Sequence, residues 1–169
     1  MWNFNGQRRP DFALPTNDGQ ESVWDYPRPP ALVDCPQLIE IKAGATLIAR
    51  STNSKRVLET ASPPTIYIPP DDIQFGSLIR AGGNSYCEWK GAAEYWALRD
   101  SDSSAVAWSY PNPNPAFAAI SEWLCFYPGR IECYLDGERV RPQEGGFYGG
   151  WVTDNIAGPW KGAPNTGHW

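Results

Sequence analysis

The chain has 169 residues and a net charge of −5. That length fits one domain better than two, and the acidic balance excludes nucleic acid as a partner, because a phosphate backbone calls for a basic patch. Nine Trp, eight Tyr and six Phe stand beside 17 Pro and 16 Gly, a mixture that excludes a helical bundle and favours many short strands joined by turns.

Residues 1–36 are rich in Pro, Gly, Asp and Asn without periodicity and read as an extended N-terminal arm, interrupted by Trp24-Asp25-Tyr26-Pro27. Residues 38–51 form two alternating runs around Ala43-Gly44, which predicts a hairpin. Arg56 to Glu59 and Thr65 to Ile68 read as strands, with Pro63-Pro64 between them and Pro69-Pro70 after the second. Asp71-Asp72-Ile73 predicts a turn or short helix, and Ala81 to Asn84 a loop. Strands are expected at 85–90, 94–99 and 105–110. The clearest helix is predicted at 114–124, with Asn114 as N-cap, Pro115 at the first helical position, and Phe117, Ile120, Trp123 and Leu124 at helical spacing. Ile131 to Leu135 is a strand, and Asp136-Gly137 a hairpin turn into Arg139-Val140. These elements predict a domain over 37–142. Residues 143–169 form a C-terminal segment whose Phe147, Tyr148, Trp151, Trp160 and Trp169 are too apolar to leave in water, so it is expected to pack on the domain. Trp-x-Tyr-Pro occurs at 24–27 and 108–111 and Trp-Lys-Gly at 89–91 and 160–162. The unequal intervals read as chance echoes in a Trp-rich chain.

The four cysteines, Cys35, Cys87, Cys125 and Cys133, form no C-x-x-C pair, and His168 is the single histidine. A closed zinc site needs four such ligands, so no metal and no cofactor is expected. No run approaches the ~20 apolar residues of a membrane span, which leaves the membrane out as a partner. The start MWNFNGQRRP carries no apolar signal region. The expectation is a soluble cytoplasmic protein with reduced thiols.

Chemistry concentrates in SYCEWKG, residues 85–91. As a regular strand, Cys87 and Trp89 share one face and Glu88 and Lys90 the other. One reading is then a buried Cys and Trp with solvated charges. The other is a reactive thiol with Lys90 brought round by a bulge at Gly91. His168 is the one residue able to complete a Cys–His dyad.

Arg56-Val57-Leu58-Glu59, Pro63-Pro64 with Tyr67-Ile68-Pro69, Cys87-x-Trp89-Lys90-Gly91, Trp108-Ser109-Tyr110-Pro111 and Phe126-Tyr127 occur in an order that resembles domain-of-unknown-function family 427. The resemblance covers about residues 31–142, and the flanks resemble those of longer members. It implies a mainly β, tent-like fold of two small antiparallel sheets with one short helix near 114–124, shared with methionine sulfoxide reductase B and the ligand-binding domain of cereblon. The zinc that many tent folds hold with two C-x-x-C pairs is not implied here. The resemblance places Glu59, Tyr67, Cys87, Trp89, Lys90, Trp108 and Tyr110 in the family motif, a set with the make-up of a small-molecule pocket. Glu59 is expected to be the counter-charge of Lys90. The functional expectation is a small-molecule-binding domain with an aromatic pocket near Cys87-Trp89-Lys90. The alternatives are an enzyme using Cys87 as nucleophile or redox thiol, and a protein-interaction module.

Overall fold

Short β-strands dominate the chain, as its Pro and Gly punctuation requires. The computed structural model describes every residue except Met1, Ser103 and Phe147. In chain order the strands are β1 (Glu21–Ser22), β2 (Ala31–Cys35), β3 (Ile39–Ala43), β4 (Thr46–Ser51), β5 (Ser54–Leu58), β6 (Thr65–Tyr67), β7 (Leu78–Cys87) and β8 (Gly91–Leu98). They continue with β9 (Ala105–Ser109), β10 (Leu124–Phe126), β11 (Glu132–Leu135), β12 (Glu138–Arg139), β13 (Arg141–Pro142), β14 (Trp151–Val152) and β15 (Ile156–Ala157). Two four-stranded antiparallel sheets, β10-β9-β8-β7 and β12-β11-β3-β4, stand beside a three-stranded sheet β2-β5-β6. These are the small antiparallel sheets expected of the mainly β, tent-like fold.

One bridge organises the molecule. Ile68 and Leu124 exchange backbone hydrogen bonds of 2.8 and 3.1 Å, which joins β6 to β10. The three-stranded sheet and one four-stranded sheet thereby run on as a continuous surface, β2-β5-β6-β10-β9-β8-β7. Successive residues of a strand point to opposite faces. Ile66, Ile68, Leu124 and Phe126 therefore face one way, into the main core with Ile39, Ile41 and Ile48 of the opposing sheet. Tyr67, Cys125 and Trp108 face the other way, into a second, aromatic cluster. A sheet apolar on both faces has no clean period-2 signal, which is why β10 is buried at all three positions.

The hairpins follow their turn chemistry. β3 and β4 close through Gly44, and β11 and β12 through Asp136-Gly137, both at positive φ as a tight primed turn requires. Three local expectations are corrected. Residues 81–84 are not a separate loop but part of β7, where the register with β8 shifts between Ala81 and Ser85. The strand predicted over 85–90 ends at Cys87, and residues 88–90 turn into β8. The helix predicted over 114–124 is a 3-10 segment, Pro115–Ile120, broken at Phe117, while Leu124 belongs to β10. Phe117 and Ile120 are three apart and both buried, a spacing that serves a 3-10 turn as well as an α-helix.

The two ends of the chain join the folded body. β2 pairs with β5, and β1 runs parallel to β15. Trp24 is fully buried, donates to the carbonyl of Pro159 at 2.9 Å and is surrounded by Phe4, Phe12 and Trp169. From the C-terminal segment, Trp151 enters the main core and donates to the Phe126 carbonyl at 2.9 Å. Trp160 and Trp169 pack on the N-terminal cluster. Phe147, counted above among the aromatics of this segment, lies outside the described residues.

Candidate functional site

The aromatic face of the continuous surface is concave and encloses a cavity of about 510 Å³. Register explains its strand walls. Trp108 is opposite Tyr95 on one side and Cys125 on the other, while Ser85 is opposite Ala93 and Cys87 opposite Gly91. Directly opposed residues in an antiparallel pair share a face, so Ser85, Cys87, Ala93, Tyr95 and Trp108 look the same way. The Ile68–Leu124 bridge sets Tyr67 opposite Cys125 and extends that face into β6. The small side chains of Ser85, Cys87 and Ala93 leave the space that the aromatic residues surround.

SYCEWKG is the tip of the β7–β8 hairpin. Three residues, Glu88, Trp89 and Lys90, link the paired Cys87 and Gly91, and Gly91 has a φ of 109°, a region L side chains rarely adopt. The turn suspends strand alternation and brings Lys90 to the side of Cys87. Asn114 holds it from outside: its side-chain amide donates to the Trp89 carbonyl at 2.8 Å and its backbone N–H to the Lys90 carbonyl at 3.0 Å. That use of the Asn114 side chain leaves no cap for the 3-10 segment it precedes.

Six of the seven expected site residues, Glu59, Tyr67, Cys87, Lys90, Trp108 and Tyr110, line the cavity, and Trp89 does not. Trp89 instead packs against the outside of the aromatic cluster, where its indole N–H is buried without an acceptor among the described residues. The expected Glu59–Lys90 pair does not form either. Glu59 is 3.3 Å from the guanidinium of Arg28, whose side chain is only 2 % exposed and also donates to the main-chain oxygens of Phe4, Thr60 and Trp169. A guanidinium with several planar donors can serve a carboxylate and three main-chain oxygens at once, which a lysine cannot. The Lys90 ammonium instead lies 5.8 Å from the ring centroids of both Tyr110 and Phe117, and the residue is 8 % exposed.

The floor carries buried hydroxyls. Trp108 donates to the Tyr67 hydroxyl at 3.2 Å. Burial pushes the Tyr67 and Tyr110 hydroxyls well above the ordinary phenol range, so both stay protonated. Tyr127 is pushed up to about 12, again chiefly by burial. Burial likewise raises the Cys125 thiol, which lies in the aromatic cluster behind them and does not line the cavity. Cys87 is half-buried and opens on the cavity. His168 is exposed beside Trp169 and does not line it, so the one histidine is not placed as a base for Cys87. Among the described residues no group of three His, Cys, Asp or Glu side chains gathers as a metal site, and no helix is long and apolar enough to cross a membrane.

Sequence reasoning missed the wall supplied by the C-terminal segment. Gln143, Gly149, Gly150 and Lys161 complete the cavity together with Tyr148 and Arg130. Gln143 ties two passes of this segment together, accepting from the Gly150 N–H at 3.2 Å and donating to the Lys161 carbonyl. At Gly149 a Cβ would lie 2.3 Å from the Trp108 indole, so only glycine lets the backbone lie on that ring. A signal was available. The second Trp-Lys-Gly, read as a chance echo, shares two features with the first: Gly162, like Gly91, has a positive φ, and Lys161, like Lys90, lines the cavity.

A search of the curated proteins matched none of them to the chain. The model of the family described as a domain of unknown function, DUF427, matches residues 31–137, which carry all seven expected site residues, while Gln143, Gly149, Gly150 and Lys161 fall outside the match. The chain belongs to the DUF427 family.

Proposed function

We propose that the protein binds a small molecule in the cavity between Tyr67, Trp108 and the Lys90 turn. One observation carries the reading: a cavity of about 510 Å³, within the roughly 300–1,000 Å³ of ordinary ligand pockets, has flat aromatic walls and an almost buried Lys90 that makes no ion pair among the described residues. A desolvated cation without a counter-charge is costly in a finished core, whereas a ligand supplies what it lacks. Tyr67 and Tyr110, kept neutral by burial, offer hydroxyls that orient a guest without exchanging protons with it. All four cysteines are free thiols, which fits a reducing compartment, and residence in the cytoplasm is part of this proposal.

The test is a fragment panel of flat ring compounds screened by ligand-observed NMR on the full chain. Ala93→Phe, which fills the floor, and Ser85→Trp, which intrudes from the more exposed wall, serve as blocking variants. Circular dichroism and the melting temperature certify that each is folded. Hits that disappear in a folded blocking variant support the reading. A panel without hits, or hits indifferent to both variants, overturns it.

A further inference from the structure

The charge lining the cavity is not balanced by the protein itself. Lys90, Arg130 and Lys161 contribute three cations. Among the described residues the lining holds one carboxylate, Glu59, and that group is already engaged with Arg28 at 3.3 Å. None of the three lining cations has an ion pair among the described residues. The Lys90 ammonium lies over Tyr110 and Phe117, and that of Lys161 lies 5.0 Å from the Trp2 ring centroid. Arg130 stacks at 4.1 Å on Tyr127 and donates to the carbonyls of Ala105 and Gly146. Aromatic faces and carbonyls orient a cation but leave its charge uncancelled.

This concentration is not a by-product of a basic composition, since the chain carries a net charge of −5. Two of the three cations come from Trp-Lys-Gly segments, in each of which the lysine lines the cavity and the following glycine has a positive φ, 109° at Gly91 and 126° at Gly162. One belongs to the central hairpin, the other to the C-terminal segment. The cost of holding such a charge out of water is visible at Lys161, whose pKa is lowered first by burial and then by Arg28, with Glu59 and Glu88 offsetting only part of the shift. Relief by an anion is the ordinary remedy in a low-dielectric site.

Resting on the binding reading above, we infer that the pocket takes an organic anion: a flat ring system bearing a carboxylate or a phosphate, with its anionic oxygens held by Lys90 and Lys161 and its ring against Tyr110 and Trp108. The guest's negative charge meets the uncancelled cations, and its apolar body meets walls that are aromatic. An amine of the same shape meets like charge and is rejected.

The experiment compares naphthoate, naphthyl phosphate, naphthamide and naphthylmethylamine, with the matching indole set, by ligand-observed NMR and quenching of intrinsic tryptophan fluorescence. The anions are expected to bind at least about tenfold more tightly than the amides, with affinity falling as salt is raised, and the amines not to bind. Lys90→Met should weaken the anions about thirtyfold and leave the amides unchanged, while Lys90→Arg retains most of the preference. The stronger of the two anions identifies the headgroup. Amides that bind as well as acids to the unaltered chain overturn the inference and leave the pocket reading standing. So does an anion preference that survives in folded Lys90→Met and Lys161→Met. If Lys90→Met does not fold, the charge series and its salt dependence on the unaltered chain decide alone. If no compound of any charge binds, both readings fall.

Discussion

Glu59 pairs with Arg28, not with the nearer-in-motif Lys90: the guanidinium stands 3.3 Å from the carboxylate and is almost completely buried. Arg28 thereby ties a cavity wall to both chain ends through the main-chain oxygens of Phe4 and Trp169. Removing one partner of a buried pair strands the other, at about 3–5 kcal/mol. Arg28→Met is expected to destabilise strongly and Glu59→Gln less, because Glu59 is partly exposed. The double variant should lose less than the sum of the two. Glu59→Gln and Lys90→Met, by contrast, should add. Urea denaturation of the two cycles measures both couplings, and a Glu59–Lys90 coupling larger than that of Glu59–Arg28 contradicts the assignment.

The C-terminal segment is expected to be needed for stability, not only for the cavity wall. Trp151 is fully buried in the main core, and Trp151→Ala should cost about 3–5 kcal/mol. Gly149→Ala, which places a methyl against the Trp108 indole, should cost about 1–3 kcal/mol by overpacking. Truncation after Pro142 should lower the melting temperature or cause aggregation. A melt unchanged by truncation contradicts the packing described for Trp151.

Thiol labelling reads the cavity's openness. Cys87 is half-buried on the cavity, whereas Cys35, Cys125 and Cys133 are buried. In the native protein a small alkylating agent should modify Cys87 first, with the other three reacting at the rate of unfolding. Mass spectrometry of the digested product identifies the site. Equal labelling of all four at native conditions contradicts the burial pattern, and a bound ligand should protect Cys87.

Acid sensitivity should report Glu21. Its carboxylate accepts from Arg56 and, at 2.7 Å, from the Tyr26 hydroxyl, joining β1 to β5. The hydrogen bond from Arg56 is the first cause that lowers its pKa below the ordinary 4.5, against the opposing effect of burial. A carboxylate whose folded pKa is depressed contributes stability that is fully present above its unfolded value and is lost as the pH falls through its folded value. Stability should therefore fall on acidification from about pH 5 downward, and Glu21→Gln should flatten that part of the profile. An unchanged slope in the variant, read from urea midpoints between neutral and acid pH, rules this contribution out.

Periodicity and turn residues by themselves determined the mainly β class and the Ala43-Gly44 and Asp136-Gly137 hairpins, and the family resemblance pointed to seven residues, six of which line the cavity. Those signals are local, since Gly and Asp-Gly specify a turn through backbone sterics that no distant contact needs to supply. The remainder depended on long-range partners. The 114–124 periodicity resolved into a 3-10 turn and a strand only because Leu124 exchanges hydrogen bonds with Ile68. Lys90 reached the side of Cys87 because Asn114, distant in sequence, holds the turn. Trp89 sits inside that turn, where strand alternation no longer assigns it a face, and only packing decided that it lies outside the cavity. Glu59 had two basic candidates, and the choice of Arg28 followed from where the N-terminal segment crosses the domain. Lys161 of the second Trp-Lys-Gly reached the cavity in a segment that Gln143 ties together through Gly150 and the Lys161 carbonyl. Pairing of this kind is set by burial and hydrogen-bond satisfaction over the whole molecule, and a linear pattern carries no record of it.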